Sequence, residues 1–166
     1  GGEVIARGGR AQAMRLARAL GGEDAGDFGQ PVAGSAAVGT AGRVVLLSDF
    51  LGDPGPLAEA VEAAAGRGQR GVLLQVLDPA EESFPFDGRT VFESMGGTAR
   101  FETLRAGGLR ARYIDRLAAR RARLDEIARG AGWLLGTHHT AQPAQAALLW
   151  LYRALERGRA LERGRR

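Results

Sequence analysis

Five residues combine a reactive type with a setting at the end of an apolar run. Ser48 and Asp49 close the run Val44–Leu47, Asp78 closes Gly71–Leu77, and His138 and His139 follow the shorter run Trp133–Gly136. Oxygen donors such as Ser48, Asp49 and Asp78 suit a hard divalent cation, magnesium above all. Histidines with a carboxylate would suit zinc. Adjacent residues on a strand face opposite ways, however, so His138 and His139 are not expected to share an ion. A metal-dependent hydrolase is one chemistry open to this set, with Asp49 and Asp78 as ligands and His138 as general base. An aspartate after a buried strand also suits a phosphoryl acceptor. The class of hydrolases that uses an aspartate in this way wants a second aspartate two residues on, where Leu51 stands. The chain has no G-x-S-x-G elbow and no glycine-rich phosphate loop, so a complete catalytic motif is missing.

For these residues to meet, their strands must run parallel and end on one rim. The pivotal stretch is Arg43–Asp53, RVVLLSDFLGD. Its four consecutive apolar residues predict a strand buried on both faces of a parallel sheet. Asp53-Pro54 predicts a helix start, an N-cap followed by proline at the first helical position. The helix spans Pro54–Ala65, with Leu57, Val61, Ala64 and Ala65 inward. Gly71–Leu77 predicts a second strand, ended by Asp78-Pro79. Strand, helix, strand in this order implies a right-handed crossover and parallel pairing. In such sheets ligands bind just outside the carboxyl ends of the strands.

Residues 79–104 break the alternation. Asp87-Gly88 and Gly96-Gly97 are turn signals, and the segments between and after them predict an inserted β-hairpin turning at Met95-Gly96-Gly97. Leu109–Ala131 predicts the longest helix, with Leu109, Tyr113, Leu117, Leu124, Ile127, Ala128 and Ala131 as its buried stripe. Arg112, Arg116 and Arg120 stand four apart on another face, a row suited to an acidic partner or to plain solvation. Arg121–Asp125 and Asp125–Arg129 are at helical pairing distance. Trp133–Gly136 predicts a third strand. Pro143–Leu155 predicts the last helix, apolar at Ala144, Ala147, Leu148, Leu151 and Leu155, with a frayed Arg-rich tail over 156–166. Upstream, Arg10–Leu20 predicts a helix, and 21–42, without periodicity, a long flexible loop.

The 166 residues suffice for one domain with a core, here spanning 1–155. With 45% hydrophobic residues, wholesale disorder is not expected. The absence of cysteine removes disulfides and thiolate metal sites. No apolar run approaches a membrane span and no signal peptide is visible, so no membrane partner and a cytoplasmic location are expected. All 23 basic residues are arginine and the net charge is +4. Aromatics are not interleaved with the arginines as a nucleic-acid platform requires, so no nucleic-acid partner is expected.

The strings VVLLSDFLGDPGPL, GVLLQVLDPAEESFPFDGRTVFESMGG, ETLRAGGLRARYIDRLAARRARL and GWLLGTHHTAQPAQAALLWLYRAL, from about Gly9 to Leu155, resemble the bacterial "domain of unknown function 58" family. LQVLDPAEE and FDGRTVFES carry most of that likeness. The resemblance implies a von Willebrand factor A-like fold: a three-layer α/β domain with a doubly wound, mainly parallel sheet. It also implies a degenerate metal-ion-dependent adhesion site. Asp49 matches the aspartate after the fourth strand, with Ser48 beside it, whereas the Asp-x-Ser-x-Ser triplet would precede Gly1. The chain would thus be the later part of a family member, incomplete at its opening strands, and magnesium would belong to the fuller protein rather than to this chain. The kinship further implies a non-enzymatic protein-interaction domain whose partner is a MoxR-type AAA ATPase, with Asp78, His138 and His139 on the interaction edge. With its first neighbour strand absent, Val44–Leu47 would have an open edge, which favours self-association.

Overall fold

A largely apolar run can sit in the middle of a sheet, and Gly71–Leu77 does. The structure, a computed structural model, describes residues 42–88, 90–93, 100–103 and 106–163, together with Met14. Within them β1 (Arg43–Ser48), β2 (Arg70–Leu77) and β5 (Leu134–His139) form a parallel sheet in the order β1-β2-β5. Between β2 and β5 in sequence, β3 (Thr90–Glu93) and β4 (Arg100–Thr103) pair antiparallel as a separate two-stranded sheet. The turn expected at Met95-Gly96-Gly97 lies outside the described residues. So do the helix expected over Arg10–Leu20, apart from Met14, and all but the last residue of the loop expected over 21–42.

Among residues 42–163, four described α-helices complete the layers: α1 (Pro54–Gly66), α2 (Pro79–Ser83), α3 (Arg110–Gly130) and α4 (Ala144–Arg163). Helices α1 and α3 pack together and cover one face of the sheet, whereas α4 covers the other over β2 and β5. The main core therefore joins Leu73 to Val61 and Ala64 of α1, Ile127 and Ala128 of α3, and Trp133, with Val44, Leu46 and Leu135 packed around it. Burying each valine, leucine or isoleucine of this core stabilises by about 1.5–3 kcal/mol. The start of α1 follows its sequence signal, since Asp53 caps it by accepting from Gly55 N at 3.0 Å, with Pro54 in the first turn.

Three expectations need correction. Strand β1 is not buried on both faces: it is the last strand of the sheet among the described residues, and Val45 and Leu47 are exposed at 37% and 59%. Only the central β2 is enclosed on both sides, as a parallel strand between two neighbours should be. The third strand starts after Trp133 and runs on through both histidines. Trp133 instead lies over Gly71, the one residue of β2 with no side chain to obstruct the ring. The last helix extends to Arg163, well past Leu155. Its sheet-facing stripe includes Trp150 and Ala154 rather than Leu148, which is 64% exposed. Gly136 explains that rotation, because its bare backbone makes the space that the Trp150 ring fills.

Candidate functional site

The three parallel strands bring the sequence-selected residues to one rim. Ser48 lies opposite Gln75, and Leu77 opposite His139, so Ser48-Asp49, Asp78 and the two histidines gather at the carboxyl end of the sheet. What each does there follows from its bonds. Ser48 Oγ accepts from Phe50 N at 3.1 Å and lies 3.3 Å from Asp49 Oδ1, which accepts from Leu51 N at 3.0 Å. These contacts hold Phe50 in a left-handed conformation, φ 53°, which a bulky residue adopts only under local constraint. The loop is pinned from both sides: Arg120 Nη2 donates to Leu51 O at 3.3 Å, and Gln75 Nε2 donates to Asp49 O at 3.0 Å.

Gln75 was not among the candidates. It is the sole polar residue in GVLLQVL, which was the available signal, and it is fully buried. Its Oε1 has no partner among the described residues. A buried amide of this kind is costly unless bonded, and the bond it makes fixes the loop that carries Asp49.

Asp78 caps α2. Its Oδ1 accepts from Ala80 N and its Oδ2 from Thr140 Oγ1, both at 2.8 Å, and Glu81 Oε2 returns a bond to Asp78 N at 2.8 Å. The reciprocal pattern is a capping box. Thr140 N also donates to Leu77 O at 3.0 Å, so the end of β5 is tied to the end of β2. The Ala80 amide, then the Thr140 hydroxyl, hold the Asp78 carboxyl below its ordinary 3.8, against a smaller opposing effect of burial. A depressed carboxyl pKa adds stability that is complete above the unfolded value and lost as pH falls through the folded value. Asp78→Asn is therefore expected to melt below the wild type at neutral pH and to converge with it as the medium becomes more acidic than the folded carboxyl. Thermal melts across that acid range would check this.

The histidines part company, as strand alternation requires. His138 is buried at 8% exposure on the α4 face, whereas His139 lies 2.6 Å from Glu82 Oε2 on the other. Glu82 also pairs with Arg121 through Oε1. This overturns the Arg121–Asp125 pair expected within the helix: α2 delivers Glu82 to Arg121, and among the described residues Asp125 pairs with Arg129, at 2.8 Å.

The fit to magnesium is poor. Asp49 and Ser48 spend oxygens on their own loop, Asp78 on its cap, and no cluster of three or more His, Asp or Glu able to hold a metal occurs among the described residues. The rim does border a cavity of about 620 Å³, between α2 and the start of α3. Phe84, Phe86 and Tyr113 form its aromatic wall, and Arg112 and Arg116 line its mouth. Phe84 meets Phe86 edge-on at 5.2 Å and Tyr113 tilted at 4.8 Å. Burial, and then the charge of Glu81, push the Tyr113 phenol above its ordinary value. Two of the three arginines in the row thus face a cleft, and the third holds the β1–α1 loop.

Among the described residues no helix is long and apolar enough to cross a membrane. Compared with known families, residues 4–123 match the sequence model described as a protein of unknown function, DUF58. Neither the curated proteins nor the solved structures gave a match.

Proposed function

This chain belongs to the DUF58 family, and from that kinship together with its rim we propose that it is a von Willebrand factor A-like protein-interaction domain, not an enzyme, that works with a MoxR-type AAA ATPase. The observation that carries this reading is the use made of the rim. Asp49, Asp78 and Glu82 are each engaged in holding a loop, a cap or an ion pair. Groups so engaged build a fixed surface, whereas a general base needs a lone pair aimed at substrate. His138, the general base of the hydrolase reading, is buried. Beside this surface lies an aromatic cleft, the feature that binding sites share. Fold kinship alone fixes no function, so the reading needs a direct test.

That test is co-elution of the purified chain with a purified MoxR-type AAA ATPase. A complex at about 10 μM is expected, weakened by His139→Glu on the rim and unaffected by Arg129→Glu on the exposed far end of α3. No co-elution, or equal loss with both variants, would remove the reading. The exposed Val45 and Leu47 on one face of β1 further support self-association through that apolar surface.

A further inference from the structure

We propose that the cleft between α2 and α3 is the pocket for an acidic peptide segment, one that seats an aromatic or leucine side chain against Phe84 and Phe86 and places flanking carboxylates on Arg112 and Arg116. The inference rests on reading the rim as protein-binding and names the chemistry of what binds. The wall comes first. Phe84 is 6% exposed and is held as the α2 cap in a left-handed conformation, φ 44°, which turns the chain so that Phe86 follows at the mouth, 38% exposed. An aromatic surface open to water at its mouth gains by covering, and a ring fits edge-on against the existing pair.

Charge then selects the occupant. Arg112 and Arg116 stand one helical turn apart, a like-charge pair that a helix tolerates at a cost. Among the described residues neither has a hydrogen bond or ion pair, whereas Arg120, Arg121, Arg123 and Arg129 on the same helix all do. The acids that share the cavity do not serve them. Asp78 is bonded to Ala80 and Thr140, and Glu81 closes the capping box. Two guanidinium groups without a bond among the described residues, beside an apolar wall, match carboxylates flanking an apolar side chain, since arginine grips carboxylate in a two-pronged geometry. A volume of about 620 Å³ suits a few side chains of a segment, not a folded surface. Asp78 lies both on the strand rim and in the cavity wall, so a segment leaving the cleft continues onto the rim.

Fluorescence polarisation on the full chain tests this with a labelled octapeptide in which phenylalanine and leucine alternate with aspartate. Saturable binding below about 1 mM is expected, weakened at least about tenfold by exchanging aspartate for asparagine or the apolar residues for serine. Raising salt should also weaken it. The exposed double variant Arg112→Glu with Arg116→Glu should lose this peptide and gain its lysine counterpart, a reversal that misfolding would not produce. Equal binding of the aspartate and asparagine peptides, or none below about 1 mM, overturns the proposal. So does 3-phenylpropionate binding as tightly as the peptide, which would make the cleft a small-molecule site. If the ATPase complex forms but the peptide does not bind, the cleft assignment fails alone. If the peptide binds and no ATPase complex forms, the partner assignment fails alone.

Discussion

Gly71→Ala is expected to remove at least about 3 kcal/mol of stability, enough to leave little soluble protein. A Cβ at residue 71 would stand 2.3 Å from Trp133 Cε3, 2.4 Å from Cζ3 and 2.5 Å from Cδ2. Carbon atoms pack at about 3.5–4.0 Å, so the ring must move by more than an ångström. It has nowhere to go. Trp133 is 4% exposed, its Nε1 donates to Gln69 O at 3.1 Å, and its own amide donates to Ala128 O at 2.8 Å. Displacing it opens the core it shares with Leu73, Val61 and Ile127. A tryptophan in such a place accounts for about 3–5 kcal/mol by itself. Urea denaturation gives the magnitude. Trp133→Leu makes the cause separable: combined with Gly71→Ala it should cost less than the two changes summed, because the smaller side chain vacates the space the methyl needs. Additive losses, or a Gly71→Ala protein within about 1 kcal/mol of the wild type, would mean that the glycine–tryptophan contact is not what holds this corner.

That contact also marks where sequence reading stopped. Apolar runs revealed the three parallel strands of the described sheet, although only β2 is enclosed on both faces as such a run implies. They did not reveal rank within the sheet. RVVLLS and GVLLQVL look alike, yet Val45 and Leu47 are exposed while Val72, Leu73, Leu74 and Leu77 are at 3% or less. Whether a strand has two neighbours depends on partners remote in sequence. Helix rotation was equally hidden. Leu148 fits a helical stripe as well as Trp150 does, and only a glycine fourteen residues earlier, Gly136, settles which one meets the sheet.

The rim was legible in position and illegible in bonding. Asp49, Asp78 and His139 lie at the strand ends, as parallel pairing demands. The short helix α2 was missed, although its signal was present: Asp78-Pro79 followed by Glu81 is a cap, a first-turn proline and a reciprocal acid. Reading Asp78-Pro79 only as the end of a strand hid the element that brings Glu82 to both Arg121 and His139. The arginine row shows the same limit. Its spacing marks Arg112, Arg116 and Arg120 as one face, but only the arrival of α2 and the β1–α1 loop divides them into two that line a cleft and one that grips Leu51 O.

A chain ending at Ala131 is expected to show no cooperative folding, even though the family match, residues 4–123, lies wholly inside it. The match ends within α3, before the second neighbour of the central strand. Without β5, β2 loses the partners of six residues, Val72 to Leu77. Without α4 and β5, the face carrying Val72 and Leu74 is uncovered, and Leu77 loses its neighbour at the rim. These three are at 2%, 3% and 0% exposure, and each contributes about 1.5–3 kcal/mol through burial. Their sum is on the order of the ~5–15 kcal/mol by which a whole domain of this size is stable. The shorter chain also loses Trp133 from Gly71, the Thr140 bond from Asp78, and the Leu155 carbonyl that accepts from Arg43 Nη1 at 2.6 Å. Thermal melts followed by far-ultraviolet circular dichroism compare residues 1–131 with the full chain, and a sigmoidal transition in the shorter one would contradict this account. Gly136→Ala provides the graded version. A Cβ there would stand 2.4 Å from Trp150 Cζ2, so α4 must lift from a sheet that is otherwise intact, and the cost should fall near the ~1–3 kcal/mol of ordinary overpacking. Complete unfolding on truncation with a partial loss in Gly136→Ala would assign β5 to the frame of the domain and α4 to its cover.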